Sequence, residues 1–391
     1  MKNSCAPRLA AALALSALLV LGCSSSSSSD DPYPRDGELR LNQIQVLGSH
    51  NSYHIEPQPA LFSLLLAFSE PLARSFEYTH LPLAEQFASQ GIRQIELDIF
   101  ADPAGGLYAT RAGQRAATGD GASGVPALDE PGLKVLHVQD IDFETTCFTL
   151  VECLDDVRGW SDANPGHVPL LILIEAKDDV IPDPGLGFVT PLPIGAADFD
   201  TLDAEIRSVF AADRMITPDD VRGTRDTLEE AVLEDGWPTL GASRGKVLFA
   251  LDNGGDKKDA YTAGHPSLRG RVLFTSALPG ESEAAFIKLN DPFADGALIR
   301  DLVGRGFIIR TRADGDTAQA RNGDVSQRDA ALASGAQFVS TDYPVPDPDF
   351  GTGYLVEIPG GTPARCNPVN APPDCTSLDI ENPAALAPTP D

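Results

Sequence analysis

From residue 40 onward, short apolar runs alternate with longer segments of mixed character. Residues 44–47, apolar except for Gln45, form a run that stops at Gly48. Residues 92–100 alternate, with Ile95, Leu97 and Ile99 on one face of an extended chain and Glu96 and Asp98 on the other. Residues 135–137 read as the end of a short strand. Residues 168–174 are apolar without a break, as expected of a strand covered on both faces. Residues 247–251, 272–275, 307–309 and 338–340 continue the series. Between them lie helix-like segments at 81–89, 150–164, 200–210, 227–233, 293–304 and 325–334, with Gly91, Gly304 and Gly335 where helices would stop. Strands alternating with helices in this way predict an α/β fold, a (β/α)8 TIM barrel over residues 41–345. An open doubly wound sheet fits the same alternation, but no G-x-G-x-x-G follows the first strand. Residues 346–391 are rich in Pro and Gly and read as a tail clasped to the barrel.

Composition changes the picture in two ways. With 57 acidic against 29 basic residues the net charge is −28. That excludes a nucleic-acid binder, which needs a positive surface, and simple attraction to anionic lipid. The N-terminus is a targeting segment. Lys2 and Arg8 lead into an apolar run, residues 9–21, too short to span a bilayer comfortably. Val20-Leu21-Gly22-Cys23 resembles a bacterial lipobox, which implies that residues 1–22 are a lipoprotein signal peptide and that Cys23 is lipidated. Residues 23–40 then form a Ser- and Asp-rich tether. An ordinary cleaved secretory signal is the alternative. Either way the protein is exported, and the lipobox implies a membrane-anchored lipoprotein of the outer membrane or cell surface.

Setting aside Cys5 and Cys23, four cysteines remain and allow three pairings. The local pairs Cys147–Cys153 and Cys366–Cys375 are the simplest, and both read as loop staples in an oxidising compartment.

The strand ends carry the chemistry, because in a parallel barrel they converge on one bowl. The first gives His50 and Asn51, the second Glu96 and Asp98, the third His137. The fourth gives Glu175 and Lys177, two apart and on one face. Later strands end in Asp252-Asn253, Arg310 and Asp342-Tyr343. Three carboxylates and an amide oxygen suit a hard cation, Ca²⁺ or Mg²⁺. Two histidines beside it supply a base and an acid, a combination suited to phosphodiester cleavage.

Gly48-Ser49-His50-Asn51-Ser52-Tyr53, Gly91-Ile92-Arg93-Gln94-Ile95-Glu96-Leu97-Asp98, His137 after an apolar strand, and the strand from Pro169 to Glu175 resemble the calcium-dependent phosphoinositide-specific phospholipases C. The resemblance covers the barrel. It implies that Asn51, Glu96, Asp98 and Glu175 bind Ca²⁺ and that His50 and His137 are the catalytic pair. It also implies attack of the inositol 2-hydroxyl on phosphorus, with diacylglycerol leaving and an inositol cyclic phosphate as intermediate or product. Metal-independent bacterial relatives have His-Asp at the first strand and an arginine in place of the cation. Glycerophosphodiester phosphodiesterases begin His-Arg-Gly. Here the chain reads His-Asn-Ser. Arg93 precedes the catalytic end and is expected to be structural. Lys246 sits at the wrong end of its strand, so no basic strand for phosphorylated inositides is expected. By strand position Lys177 is expected to touch phosphate, and Arg310 with Tyr343 to hold the inositol ring. Asp252, Asp342 and Arg310 are equally explained as barrel salt bridges.

The other histidines are assigned no chemistry: His54 and His80 to loops, His167 to the noncatalytic end, His265 without a partner. Residues 61–68 read as a packing helix or one that dips into a membrane at the site's mouth. A monomer is the default. Two other functions stay in view: a glycerophosphodiester or sphingolipid phosphodiesterase on the same barrel, and a surface lipoprotein that binds without turnover.

Overall fold

The computed structural model describes Met1 and residues 32–360 and 363–386. The signal-peptide reading, Cys5 and the lipidation reading of Cys23 lie outside the described residues. Among the described residues there are ten strands: β1 (Ile44–Ser49), β2 (Ile92–Phe100), β3 (Lys134–Val135), β4 (Leu170–Ala176), β5 (Val247–Leu251), β6 (Leu273–Thr275), β7 (Phe286–Lys288), β8 (Ile308–Arg312), β9 (Phe338–Thr341) and β10 (Ala364–Cys366). Eight of them form a parallel sheet in the order β6-β5-β4-β2-β1-β9-β8-β7. A parallel bridge from Ser276 to Phe286 links its two ends. The result is a nearly closed (β/α)8 barrel.

The pattern follows from burial. β4 is apolar and buried from Leu170 to Ile174, because barrel side chains cover one face and helices the other, and it ends in the half-buried Glu175. Every residue of β2 is buried too, which makes Glu96 and Asp98 carboxylates inside the barrel. Gly48 is needed where β1 meets β2: a Cβ there would lie 2.0 Å from Gln94 Oε1.

Two strand assignments differ from the sequence reading. The segment at 134–135 is not a barrel strand; it pairs antiparallel with the C-terminal end of β2, Val135 opposite Ile99. The barrel strand in its stead is β7, three residues long and too short to stand out as a periodic run. His137 therefore comes from a loop folded over the mouth of the barrel.

The tail after β9 returns to the barrel. β10 pairs antiparallel with the start of β1, Ile44 opposite Cys366. Arg93 and Glu381, both fully buried, form a bidentate pair at 2.8–3.0 Å, so Arg93 is structural. Both local cysteine pairs are bonded, Cys147–Cys153 and Cys366–Cys375. Beside the mouth lie two helices, α1 (Pro59–Phe68) and α2 (Glu70–Ser75). α1 buries Leu61 and Leu65 and exposes Leu64 and Phe68, so it packs on one face and is open on the other. Among the described residues no helix is long and apolar enough to cross a membrane.

Candidate active site

A pocket of about 260 Å³ opens at the C-terminal ends of the strands, lined by His50, Asn51, Tyr78, His137, Glu175, Lys177, Arg312 and Asp342, with Ser75 and Asp316 at its edge. A larger cleft of about 730 Å³, lined by Gly91, Arg93, Trp160 and Ile358 among others, contains none of these groups.

β2 and β4 place the carboxylates. Alternation puts Glu96 and Asp98 on one face of β2, and the parallel register sets Asp98 opposite Glu175. Oxygens of Glu96, Asp98 and Glu175 lie within 4.8 Å of one another. Burial pushes the Glu96 carboxyl up to about 7 and raises Asp98 well above the usual carboxylate range. Neither oxygen of Asp98 accepts a well-formed hydrogen bond; the Lys177 ammonium lies 3.3 Å away as a counter-charge. Asn51 lines the same pocket as Glu175. It sits at φ 44°, a left-handed conformation that asparagine tolerates, just beyond β1. Its Nδ2 donates to the Tyr78 hydroxyl at 3.0 Å, which leaves Oδ1 buried without a partner. Crowded buried carboxylates and an orphaned amide oxygen form a costly arrangement for a protein alone. They fit a hard divalent cation, which would favour the ionised carboxylates and give Oδ1 a partner.

His50 follows β1, its backbone N–H bonded to Thr341 O at 3.1 Å. Its Nδ1 lies 2.8 Å from Asp342 Oδ1, while Arg312 Nη2 lies 3.2 Å from Nδ1 and 3.3 Å from Asp342 Oδ2. One ring nitrogen cannot donate to the carboxylate and accept from the guanidinium; the shorter, charge-assisted contact to Asp342 decides. Nδ1 therefore carries the hydrogen, and Nε2, 4.0 Å from Glu96 Oε1, carries the lone pair. Burial, then the Arg312 charge, lowers the imidazole to about 3. For Asp342, burial works upward but His50 and Arg312 outweigh it and hold the carboxyl below its ordinary range.

His137 Nδ1 lies 2.6 Å from Asp142 Oδ2. Burial lowers this imidazole as well, opposed by Asp142. Each histidine thus has a carboxylate on its Nδ1 side, and both line one pocket.

The remaining sequence-predicted residues divide. Lys177 lines the pocket and bridges Asp98 and Glu175, each at 3.3 Å. Arg310 is buried and engaged by Glu96 Oε2 and Asn290 Oδ1, both at 2.6 Å, so its guanidinium does not face the pocket as a free ring-binding group. Tyr343 is not brought to the site: it is buried, and its hydroxyl meets Glu77 O at 3.3 Å. Asp252 pairs with Lys288. His167 is buried against Ser161 and Val168, away from the site, and His265 contacts Arg269 O. His54 and His80 are not mere loop residues. His80 Nε2 donates to His50 O at 2.8 Å, and His54 contacts Asp142. Sequence reasoning missed Arg312, Tyr78 and Asp142. Arg312 was within reach, since it lies two residues beyond Arg310 on the same strand face.

The family model for Ca²⁺-dependent phosphoinositide phospholipase C matches residues 39–368. The chain is similar to a solved calcium-dependent phosphoinositol-specific phospholipase C from a Gram-negative Pseudomonas species, at 17% identity and TM-score 0.50, covering 85% of this chain and 97% of that one. It is also similar to a Ca²⁺-dependent phosphatidylinositol-specific phospholipase C from Streptomyces antibioticus, at 19% identity and TM-score 0.48, covering 80% and 97%. At 17% identity the likeness to the Pseudomonas enzyme shows the fold alone. No curated protein matches.

Proposed function

The chain belongs to the Ca²⁺-dependent phosphoinositide phospholipase C family, and on that premise we propose that it cleaves phosphatidylinositol to diacylglycerol and inositol cyclic phosphate by paired histidine catalysis. The family is one of Ca²⁺-dependent phosphodiesterases; the products and residue roles are our reading. The observation that carries it is the convergence of His50 and His137 on one pocket that also contains Asn51 and Glu175.

In this reading Asn51, Glu96, Asp98 and Glu175 hold the cation. When bound, Ca²⁺ supplies positive charge to the phosphate oxygens and acidifies the nucleophilic hydroxyl. His50 Nε2 takes the proton of the inositol 2-hydroxyl as its oxygen bonds to phosphorus. The bond from phosphorus to the diacylglycerol oxygen breaks, and His137 Nε2 gives that oxygen a proton. The environments support this division. Burial and then Arg312 outweigh Asp342 and keep His50 a neutral acceptor, whereas at His137 burial lowers the imidazole and Asp142 opposes it. Lys177 and Arg312 lie where phosphate oxygens would come, and each already faces a carboxylate. Lys288 is likewise paired with Asp252. That favours an inositol ring without further phosphates. A lipid anchor on Cys23 belongs to the same proposal, and the mass of the mature N-terminal peptide tests it.

The test of function is phosphorus NMR on phosphatidylinositol vesicles, with Ca²⁺ and with chelator. Inositol cyclic phosphate formed only with Ca²⁺ supports the reading. Release of glycerol 3-phosphate or of a sphingolipid head group moves the protein to the second class. Binding without turnover on any diester leaves a binding lipoprotein.

A further inference from the structure

We infer that His54 is a positioning residue for His137, acting through the Asp142 carboxylate. The inference rests on the reading of His137 as the acid for the leaving group.

His54 and Asp142 are both fully buried. His54 Nε2 lies 2.9 Å from each Asp142 oxygen, and Oδ2 of the same carboxylate is 2.6 Å from His137 Nδ1. One carboxylate thus accepts from two imidazoles, one inside the protein and one at the pocket. These are hydrogen-bond distances. A shared cation would hold its ligand atoms about 3.3 Å apart, given metal–ligand bonds of about 2.0–2.1 Å in a tetrahedron. The trio is a relay of hydrogen bonds and not a second metal centre.

His54 is itself held on every side. Its Nδ1 faces Tyr78 O at 3.0 Å, and its ring stacks on Tyr78 at 4.1 Å. Its N–H donates to Asn51 O at 2.8 Å, and its carbonyl accepts from His80 N at 2.9 Å. Acceptors face both ring nitrogens, Tyr78 O at Nδ1 and the Asp142 carboxylate at Nε2. Asp142, oriented by His54, keeps lone pairs to accept from His137 Nδ1, which makes Nε2 the nitrogen that meets the leaving oxygen. The loop adds its own constraint: Val138 and Asp142 exchange backbone hydrogen bonds at 2.8 and 2.9 Å, closing a tight turn between His137 and its carboxylate. Through His54, that turn is tied to the segment carrying His50 and Asn51. Without His54, a buried carboxylate would lose its inner partner and turn or take up a proton, and His137 would lose its orientation.

The experiment compares His54→Leu, His54→Gln and His54→Asn on two substrates: phosphatidylinositol, whose leaving alkoxide needs a proton, and a nitrophenyl ester of inositol phosphate, whose leaving group does not. For His54→Leu, kcat on the lipid should fall on the order of 10²-fold, the usual worth of a placed general acid. KM, Ca²⁺ half-saturation and kcat on the nitrophenyl ester should change little. Glutamine sets an N–H near the Nε2 position and asparagine near Nδ1, so His54→Gln should retain more lipid kcat than His54→Asn. Equal loss on both substrates, a shifted Ca²⁺ requirement, or asparagine outperforming glutamine overturns the inference. Should the leucine variant not fold, the order of the two amides decides. His137→Ala is the control for the parent reading: if it loses the two substrates equally, His137 is not the acid, whatever His54 does.

Discussion

Asp342 Oδ1 lies 2.8 Å from His50 Nδ1, across 292 residues of sequence. That contact selects which face of the imidazole is free. It also predicts an asymmetry between removing the base and removing its orienter. His50→Ala should abolish turnover and leave Ca²⁺ binding nearly intact. Asp342→Asn can present its amide N–H to Nδ1 and stabilise the wrong tautomer, so kcat should fall by about 10²–10⁴-fold. Steady-state kinetics with calorimetric Ca²⁺ titration checks both. Near-normal kcat in His50→Ala removes it from proton transfer.

The buried carboxylates predict how stability depends on pH and Ca²⁺. Burial raises Glu96 from 4.5 to about 7, so the folded state holds a proton that the unfolded chain releases. Its stabilising contribution is complete below about pH 4.5 and is lost as pH rises through 7. Asp98 shifts in the same direction. In chelator, therefore, the melting temperature should fall between pH 5 and pH 7.5, and saturating Ca²⁺ should restore it most at the higher pH. Asp342 and Asp142 shift the opposite way, and their loss is confined to more acidic solution. Melting curves in both buffers test this; a Ca²⁺ effect independent of pH contradicts it.

The Arg93–Glu381 pair predicts loss of stability without loss of chemistry. Glu381→Ala strands a buried guanidinium and should destabilise by about 3–5 kcal/mol. Since the pair lies at the start of β2, the tail should loosen while kcat at low temperature stays near normal. Urea unfolding and single-temperature kinetics separate the two. A selective fall in kcat would tie the tail to the site.

Leu64 and Phe68 stand exposed on α1, one turn apart, and α2 leads from there to the pocket edge at Ser75. If this face meets lipid, Leu64→Ser with Phe68→Ser should weaken activity on vesicles and spare a soluble nitrophenyl ester. Vesicle sedimentation provides the direct reading. Equal effects on both substrates would make α1 a packing element only.

Much of this molecule is legible one segment at a time. Period-two alternation sets Glu96 and Asp98 together on β2, the unbroken apolar run marks β4 as an interior strand, and the short cysteine spacings name both disulfides. These are local properties, and local chain geometry suffices to read them. What only the tertiary structure decided are relations between segments that share no pattern. β7 is three residues long and gains strand identity from its neighbours. β3 turns back against β2, so His137 arrives on a loop. Tyr343 meets Glu77 while its neighbour Asp342 meets His50. Arg312, Tyr78, Asp142 and His54 acquire meaning only from partners distant in sequence or on crossing loops. Hydrophobic periodicity reports which face of an element is buried; it contains no information about which polar group another element will bring to meet it.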